Sequence, residues 1–234
     1  MRRPPPAAPA PVPKPIQILV VDDHWVVRAG LRTLLDGQPN LHVVGEAGTG
    51  EEAVEKTRTL KPDVVILDLL MPGMGGVEAV RRIAGIAGGT KILVLSAHLE
   101  EGTLLQVLEA GGSGFVAKTS AQENLTRAIR TVADNEIFLD PSAAKMLVAH
   151  YKEAGPKGAR GTQGKGTLER LSAREREVLA LTAEGYSATE IGKRLRVSSK
   201  TVDTYRARIM VKLGVKHRSQ LIRFALHTGL LKVE

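Results

Sequence analysis

From Ile16 onward, short apolar runs alternate with longer amphipathic stretches, and this alternation constrains the fold of the 234-residue chain more than any other feature. The runs are Ile16–Val21, Leu41–Gly45, Asp63–Leu67, Lys91–Leu95 and Gly114–Ala117. The first, third and fourth are rich in Ile, Val and Leu without polar alternation, the pattern of strands buried on both faces. Helical patterns lie near Val26–Asp36, Gly50–Leu60, Gly76–Ile83 and Glu101–Ala110, with a fifth over Ala121–Asn135. Five strands alternating with five helices predict an α/β domain over residues 16–136, built on a doubly wound five-stranded parallel sheet. Right-handed crossovers put every strand's carboxyl end on one edge, where such sheets bind ligands. A polar residue at a strand's end is therefore a candidate site residue.

Charge divides the chain in two. Residues 16–136 carry 11 Lys and Arg against 16 Asp and Glu, net −5, whereas residues 167–234 carry 14 against 7, net +7. A basic C-terminal part suits a polyanionic partner, and the acidic N-terminal part argues against the whole chain coating nucleic acid. The absence of cysteine excludes disulfides, thiolate metal sites and cysteine nucleophiles, and suits a reducing cytoplasm. No apolar run approaches the roughly 20 residues that span a bilayer, so no membrane partner is expected. Residues 1–15, rich in Pro and Ala and lacking the apolar centre of a signal peptide, are expected to form a disordered leader. Residues 137–166 read as a linker. Within it, Ser142–Lys152 has the pattern of an amphipathic helix, and Pro156–Gly166 is dominated by glycine and basic residues.

Polar residues fall at four of the predicted strand ends: Asp22 and Asp23, Asp68, Ser96, and Lys118. Singly, each has a bland explanation, since an aspartate after a strand is commonly a cap or turn former. Together, on one edge, they describe a site. Three gathered carboxylates repel one another, which a divalent cation relieves, and an all-oxygen ligand set suits magnesium. Lys118 and Ser96 beside them would offset and hydrogen-bond a phosphoryl group. Asp68, ending the central strand, is placed as the nucleophile.

The motifs Ile18-Leu19-Val20-Val21-Asp22-Asp23-His24, Asp63-Val64-Val65-Ile66-Leu67-Asp68-Leu69-Leu70-Met71-Pro72-Gly73-Met74, Leu93-Val94-Leu95-Ser96-Ala97 and Gly114-Phe115-Val116-Ala117-Lys118 resemble the receiver domain of two-component response regulators over residues 16–136. The resemblance implies a flavodoxin-like strand order 2-1-3-4-5. It also implies magnesium held by Asp22, Asp23, Asp68 and the Leu70 backbone carbonyl, and a histidine kinase that phosphorylates Asp68. Ser96 and Lys118 would contact the phosphoryl group, and Phe115 would be the aromatic that rotates on activation; a plain core aromatic is the alternative for Phe115. Two positions depart from the family pattern. Gly75 replaces an aspartate, which removes a possible cap for the next helix. Trp25 stands where proline is common and is open to two readings, a shield over the metal acids or a packing or partner-contact residue.

The C-terminal part reads as four short helices. Ser172 and Glu175 form a capping box, Gly185 ends that helix, Ser187 caps a helix over Ala188–Leu195, and Ser198 or Ser199 caps one reaching Leu213, stopped by Gly214. A fourth covers Arg218–Thr228. The second and third, joined by Arg196-Val197-Ser198, form a helix-turn-helix whose third helix is sized for a major groove. Its apolar face is Val202, Ile209, Met210 and Leu213, and the opposite face is assigned Lys200, Thr201, Thr204, Tyr205, Arg206 and Arg208. The residues Arg174-Glu175-Arg176-Glu177-Val178-Leu179, Glu190-Ile191, Lys200-Thr201-Val202, Lys212-Leu213 and Arg218 resemble the NarL/FixJ (LuxR-type) DNA-binding domain over residues 167–234. Lys200, Thr204 and Arg208 are the leading candidates for DNA contact, with Arg206 also a candidate. Asp203 departs from the lysine or asparagine often found there and could accept a hydrogen bond from a cytosine amine. Glu175, Glu177 and Arg218 are open to a packing and ion-pairing role instead.

The expected protein is a cytoplasmic transcriptional regulator, not an enzyme. It is switched by phosphoryl transfer to Asp68, binds double-stranded promoter DNA and forms a homodimer when phosphorylated. An aspartyl-phosphate hydrolase is disfavoured because the position of its second acid holds Leu70. A phosphate-independent regulator is disfavoured by the complete set of acids, hydroxyl and lysine.

Overall fold

Each apolar run becomes a strand in the computed structural model, which describes residues 14–86, 89–97, 100–154, 168, 170–183, 186–215, 220–221 and 224–225. Strands β1 (Ile16–Val21), β2 (Leu41–Ala47), β3 (Val64–Leu67), β4 (Lys91–Ser96) and β5 (Gly114–Ala117) pair in parallel in the order β2-β1-β3-β4-β5. Side chains along each strand alternate between two apolar layers. Ile18, Val20, Val64, Ile66, Leu93 and Leu95 enter one layer, and Leu19, Val21, Val65, Leu67, Ile92 and Val94 enter the other. A strand with helices on both sides needs apolar residues at every position, which explains the unbroken runs.

Helices α1 (Trp25–Asp36) and α5 (Ala121–Ala133) cover the first layer with Leu35, Leu125, Ile129 and Val132. The second layer is covered by α2 (Gly50–Leu60), α3 (Gly76–Ala84) and α4 (Glu101–Ala110), using Val54, Val80, Ile83, Leu104 and Val107. Local chemistry sets the ends of these helices. The Thr49 side chain accepts from the Glu52 N–H to start α2, and Lys61 in the left-handed region stops it. Helix α5 ends at Ala133, two residues before the predicted end, because Asn135 turns to a φ of 68°. As its composition implied, Gly75 precedes α3 with no side-chain cap.

The sheet has a sixth strand that the sequence pattern did not reveal. Phe138 and Leu139 form β6, parallel to β5, with Phe138 opposite Gly114 and Leu139 opposite Phe115. Helix α6 (Pro141–Ala154) follows and sets Ala143 and Leu147 into the layer that holds Phe115 and Leu104. The first half of the segment read as linker is thus packed on the α/β domain. The glycine-rich run Pro156–Gly166 lies outside the described residues, as do residues 1–13 of the leader, Gly185, Arg218 and most of the predicted helix Arg218–Thr228.

The helical domain contains α7 (Ala173–Ala183), α8 (Ala188–Leu195) and α9 (Ser199–Leu213) around Leu171, Val178, Leu179, Ile191, Val202, Ile209, Leu221 and Ala225. The predicted capping box of Ser172 with Glu175 forms, and the predicted cap Ser187 makes a second box with Glu190. Ser198, not Ser199, caps α9 by accepting from the Thr201 N–H, and Gly214 ends it at a φ of 67°.

Two glycines on the α/β domain predict opposite responses to alanine. A Cβ on Gly76 would lie 2.4 Å from Leu69 Cα and 2.9 Å from the Asp68 carbonyl oxygen, with backbone that cannot yield cheaply. Gly76→Ala is expected to lower the urea-unfolding free energy by about 2 kcal/mol. Gly30, inside α1, has open space around its Cα. Gly30→Ala is expected to raise the same quantity by roughly 0.5–1 kcal/mol.

Candidate functional site

Strand register brings the predicted polar residues to one edge. The Asp68 N–H donates to the Val21 carbonyl at 2.9 Å, so the ends of β1 and β3 stay in step where Asp22 and Asp68 emerge. Asp22 and Asp68 are only 1% and 4% exposed, so each carboxylate needs a partner, and Lys118 supplies it. Its Nζ donates to Asp22 Oδ2 at 2.7 Å and to Asp68 Oδ2 at 2.8 Å, across separations of 96 and 50 residues. Burial pulls the Lys118 ammonium's pKa down, but the hydrogen bonds to Asp22 and Asp68 more than offset this and hold it above the ordinary lysine value. Ser96 is buried at the end of β4 on the same edge.

Asp23 and His24 complete the cluster. His24 Nδ1 lies 2.8 Å from Asp23 Oδ1 and 3.3 Å from Asp22 Oδ1, and the His24 N–H donates to Asp22 Oδ1 at 2.8 Å. One ligand atom from each of Asp22, Asp23, His24 and Asp68 lies within 4.8 Å of all the others. That spacing and the carboxylate-rich donor set suit a hard divalent cation. Arg28, one turn into α1, donates from Nη1 to the Asp22 carbonyl at 2.7 Å. Neither His24 nor Arg28 was singled out from sequence. His24 adjoins the acids, but nothing in the spacing of Arg28 marks it. Trp25 is 71% exposed at the start of α1, so it is not a core residue. Phe115 is fully buried in the layer shared with α4 and α6. Leu70 is exposed beside Asp68, and its N–H lies 3.4 Å from Asp68 Oδ1.

On α9, Lys200, Thr204 and Arg208 are exposed, as their assignment to the outer face requires. Thr201 is half-buried, with its hydroxyl 2.8 Å from the Ser198 hydroxyl, and Tyr205 packs against the helical core. Arg206 is placed differently from its predicted face. It lies four residues after Val202 and three before Ile209, on their side of the helix, and is 3% exposed. Its Nε donates to Thr182 Oγ1 at 2.9 Å and its Nη2 to the Tyr186 carbonyl at 3.0 Å. Asp203 is exposed, 3.6 Å from Arg206 Nη1. Glu175 accepts from Lys212 Nζ at 2.7 Å and Glu177 from Arg174 Nη1 at 2.7 Å, which are ion-pair placements.

Glu136 joins the two domains, and no periodicity or motif pointed to it. It accepts from Arg206 Nη1 at 3.0 Å and from the Ala188 N–H at 2.7 Å, at the first residue of α8. A carboxylate there meets both an unpaired helix N–H and the positive end of the helix dipole. Burial pushes the Glu136 carboxyl up despite Arg206 and Ala188, and pulls Arg206 down despite Glu136. Desolvation thus outweighs attraction on both sides, so the pair adds little net stability although losing one partner is costly. A cavity of about 330 Å³ lies beside this contact, lined by Lys91, Ser113, Glu136, Asp203, Arg206 and Met210. It is far from the carboxylate cluster, at the edge where β4 and β5 begin.

Comparison with known proteins matches both halves. The family described as "Response regulator receiver domain" matches residues 18–130, and "Bacterial regulatory proteins, luxR family" matches residues 169–225. The response regulator UvrY of Escherichia coli (strain K12) is 35% identical over 219 residues, covering 94% of this chain and 97% of UvrY. The oxygen regulatory protein NreC of Staphylococcus aureus (strain bovine RF122 / ET3-1) is 38% identical over 218 residues, covering 93% and 100%. A structure of RcsB from Salmonella enterica serovar Typhimurium, bound to a promoter with the phosphomimetic BeF3−, is 30% identical. It has a TM-score of 0.54 and covers 91% of this chain and 98% of that one.

Lys118→Met leaves Asp22 and Asp68 facing each other without their cation. It is expected to cost roughly 1–3 kcal/mol in urea unfolding, and less when Asp22→Asn is already present. Strictly additive losses would mean that Lys118 does not couple the two carboxylates.

Proposed function

Because the chain belongs to the NarL/FixJ-type response regulators, which join a receiver to a LuxR-family DNA-binding domain, we propose that phosphoryl transfer to Asp68 switches its hold on promoter DNA. It is a DNA-binding transcriptional regulator of a two-component system. The observation that carries the rest is the placement of Lys118 Nζ between two buried carboxylates at the ends of β1 and β3. A buried acidic edge with an ammonium in it is arranged to accept a mobile anion, since the cation that balances the acids can turn to the newcomer.

The donor is a phosphohistidine of a histidine kinase. An Asp68 carboxylate oxygen attacks phosphorus, the new O–P bond forms as the P–N bond breaks, and the electron pair returns to the kinase's imidazole. Lys118 and Ser96 hold the phosphoryl oxygens. Asp22, Asp23, Asp68 and the Leu70 carbonyl would hold magnesium, which supplies positive charge against the transferring group. With Leu70 where a hydrolase would carry a second acid, the chain has no turnover beyond its own phosphorylation and dephosphorylation. Phe115, walled in by α4 and α6, would change rotamer only with movement of that layer.

In the DNA-binding half, Lys200, Thr204 and Arg208 face the major groove, with Thr201 at the helix start. Tyr205 and Arg206 support the helix from behind, and Arg206 also ties it to the receiver through Glu136. The receiver spans about residues 16–136, followed by a connecting segment to 166 and the DNA-binding domain from 167. Phosphorylation would release the tie and favour a homodimer on paired half-sites, in the cytoplasm. No helix among the described residues is long and apolar enough to cross a membrane.

The test is binding to a promoter fragment with and without acetyl phosphate. Affinity is expected to rise with the donor, and unchanged affinity and oligomeric state would count against the switch. Glu136→Ala is expected to bind DNA several-fold more tightly than the native chain before phosphorylation. Lys200→Ala and Arg208→Ala should each weaken binding by about 1–3 kcal/mol, or reduce the salt slope by about 1 if the contact is to phosphate.

A further inference from the structure

Asp140 lies between β6 and α6, 1% exposed, and no motif in the sequence draws attention to it. Its two carboxylate oxygens serve two different parts of the fold. Oδ2 accepts from the Ala117 N–H at 2.7 Å and lies 3.3 Å from the Ser120 hydroxyl, which also reaches the Ala117 carbonyl. Oδ1 accepts from the Ser142 hydroxyl at 2.6 Å and from the Ala143 N–H at 2.8 Å. The Asp140 N–H in turn donates to the Phe115 carbonyl at 3.1 Å. One oxygen therefore clamps the turn Lys118–Ser120 by the residues on either side of Lys118 and Thr119, while the other caps the first turn of α6.

Burial alone would push this carboxyl up, but the hydrogen bonds from Ser142, Ala143, Ala117 and Ser120 reverse that and hold it below the ordinary aspartate value. The carboxylate is thus charged, dry and satisfied only while both sides stay in place. Removing either side leaves a buried anion short of donors, which makes such a network act as a unit.

We propose that Asp140 is a positioning residue for the phosphoryl site: it sets the turn that carries Lys118 and ties that turn to the start of α6. Lys118 is held at one end by Asp22 and Asp68 and at the other by a backbone anchored on Asp140. When Lys118 turns from the carboxylates to a phosphoryl group on Asp68, the strain on its turn reaches α6 through this side chain. Helix α6 begins the connection to the DNA-binding domain, so the tie gives the phosphoryl site a short hydrogen-bonded path toward it. The coupling rests on the reading of Asp68 as the phosphoacceptor. The positioning of Lys118 does not.

Asp140→Asn in the full chain tests this, because an amide can accept on one side only and presents a donor to a donor on the other. Three quantities are read: acylation of Lys118 by an amine-reactive acylating reagent without any phosphoryl donor, phosphorylation of Asp68 by acetyl phosphate, and amide hydrogen exchange across Ala143–Leu147 with and without acetyl phosphate. The variant is expected to acylate Lys118 several-fold faster and to take phosphate about tenfold more slowly. The native chain is expected to show a donor-dependent change in α6 exchange, and the variant to lose it. A folded variant that acylates and phosphorylates at native rates, or whose α6 amides still answer the donor, overturns the proposal. If Asp140→Asn does not fold, Ser120→Ala is expected to speed Lys118 acylation and Ser142→Ala to blunt the α6 response, and native behaviour in both overturns it. A native chain that takes no phosphate defeats the Asp68 reading, and Lys118 acylation still decides the placement of Asp140.

Discussion

The ammonium of Lys118 between Asp22 and Asp68 is the interaction on which the rest of the α/β domain's edge depends. Two carboxylates almost out of water, on adjacent strands, cannot stand facing each other unbalanced. A lysine from the end of β5, on the same edge, balances them. A fixed apolar plug would be more stable and inert; a mobile cation leaves the acids able to exchange one partner for another. Parallel pairing makes this possible, because it brings the ends of β1, β3 and β5 to the same edge.

A second ion pair mirrors the first at the opposite end of the sheet. Glu136 and Arg206 are buried between the two domains and pay a desolvation cost that their attraction does not recover. Such a contact specifies an arrangement more than it stabilises one. It also involves the helix-turn-helix at two points, the N-terminus of α8 and the inner side of α9. Between the two ends of the sheet lie β5, β6 and α6, with Asp140 fastening the start of α6 to the turn that carries Lys118.

Much of this was legible in the sequence because it rests on period and on chemistry at fixed offsets. Unbroken Ile/Val/Leu runs gave β1, β3 and β4, and the capping box at Ser172 and the cap at Ser187 placed the starts of α7 and α8 to the residue. The acids, Ser96 and Lys118 were found because strand ends are predictable from strands. Strand β6 escaped because two residues have no period, and its reason for pairing is the free edge of β5, a tertiary fact. Arg206 was set on the wrong side of α9 because its charge was weighed above its offset from Val202 and Ile209; burial of an arginine becomes reasonable only once Glu136, Thr182 and Tyr186 are seen around it. Glu136 is invisible for the same reason, and so is the half of Asp140 that faces Ala117 and Ser120, since those partners lie in distant segments.

On the proposed function, the carboxylate balanced by Lys118 at the end of β3 is the one that takes the phosphoryl group. Mass spectrometry of the native chain after incubation with acetyl phosphate and magnesium measures this directly, with peptide mapping to locate the added group. A single phosphoryl group is expected on Asp68, absent from Asp68→Asn and absent when magnesium is withheld. A native chain that binds magnesium yet gains no phosphoryl group, or gains it at another residue, would contradict it.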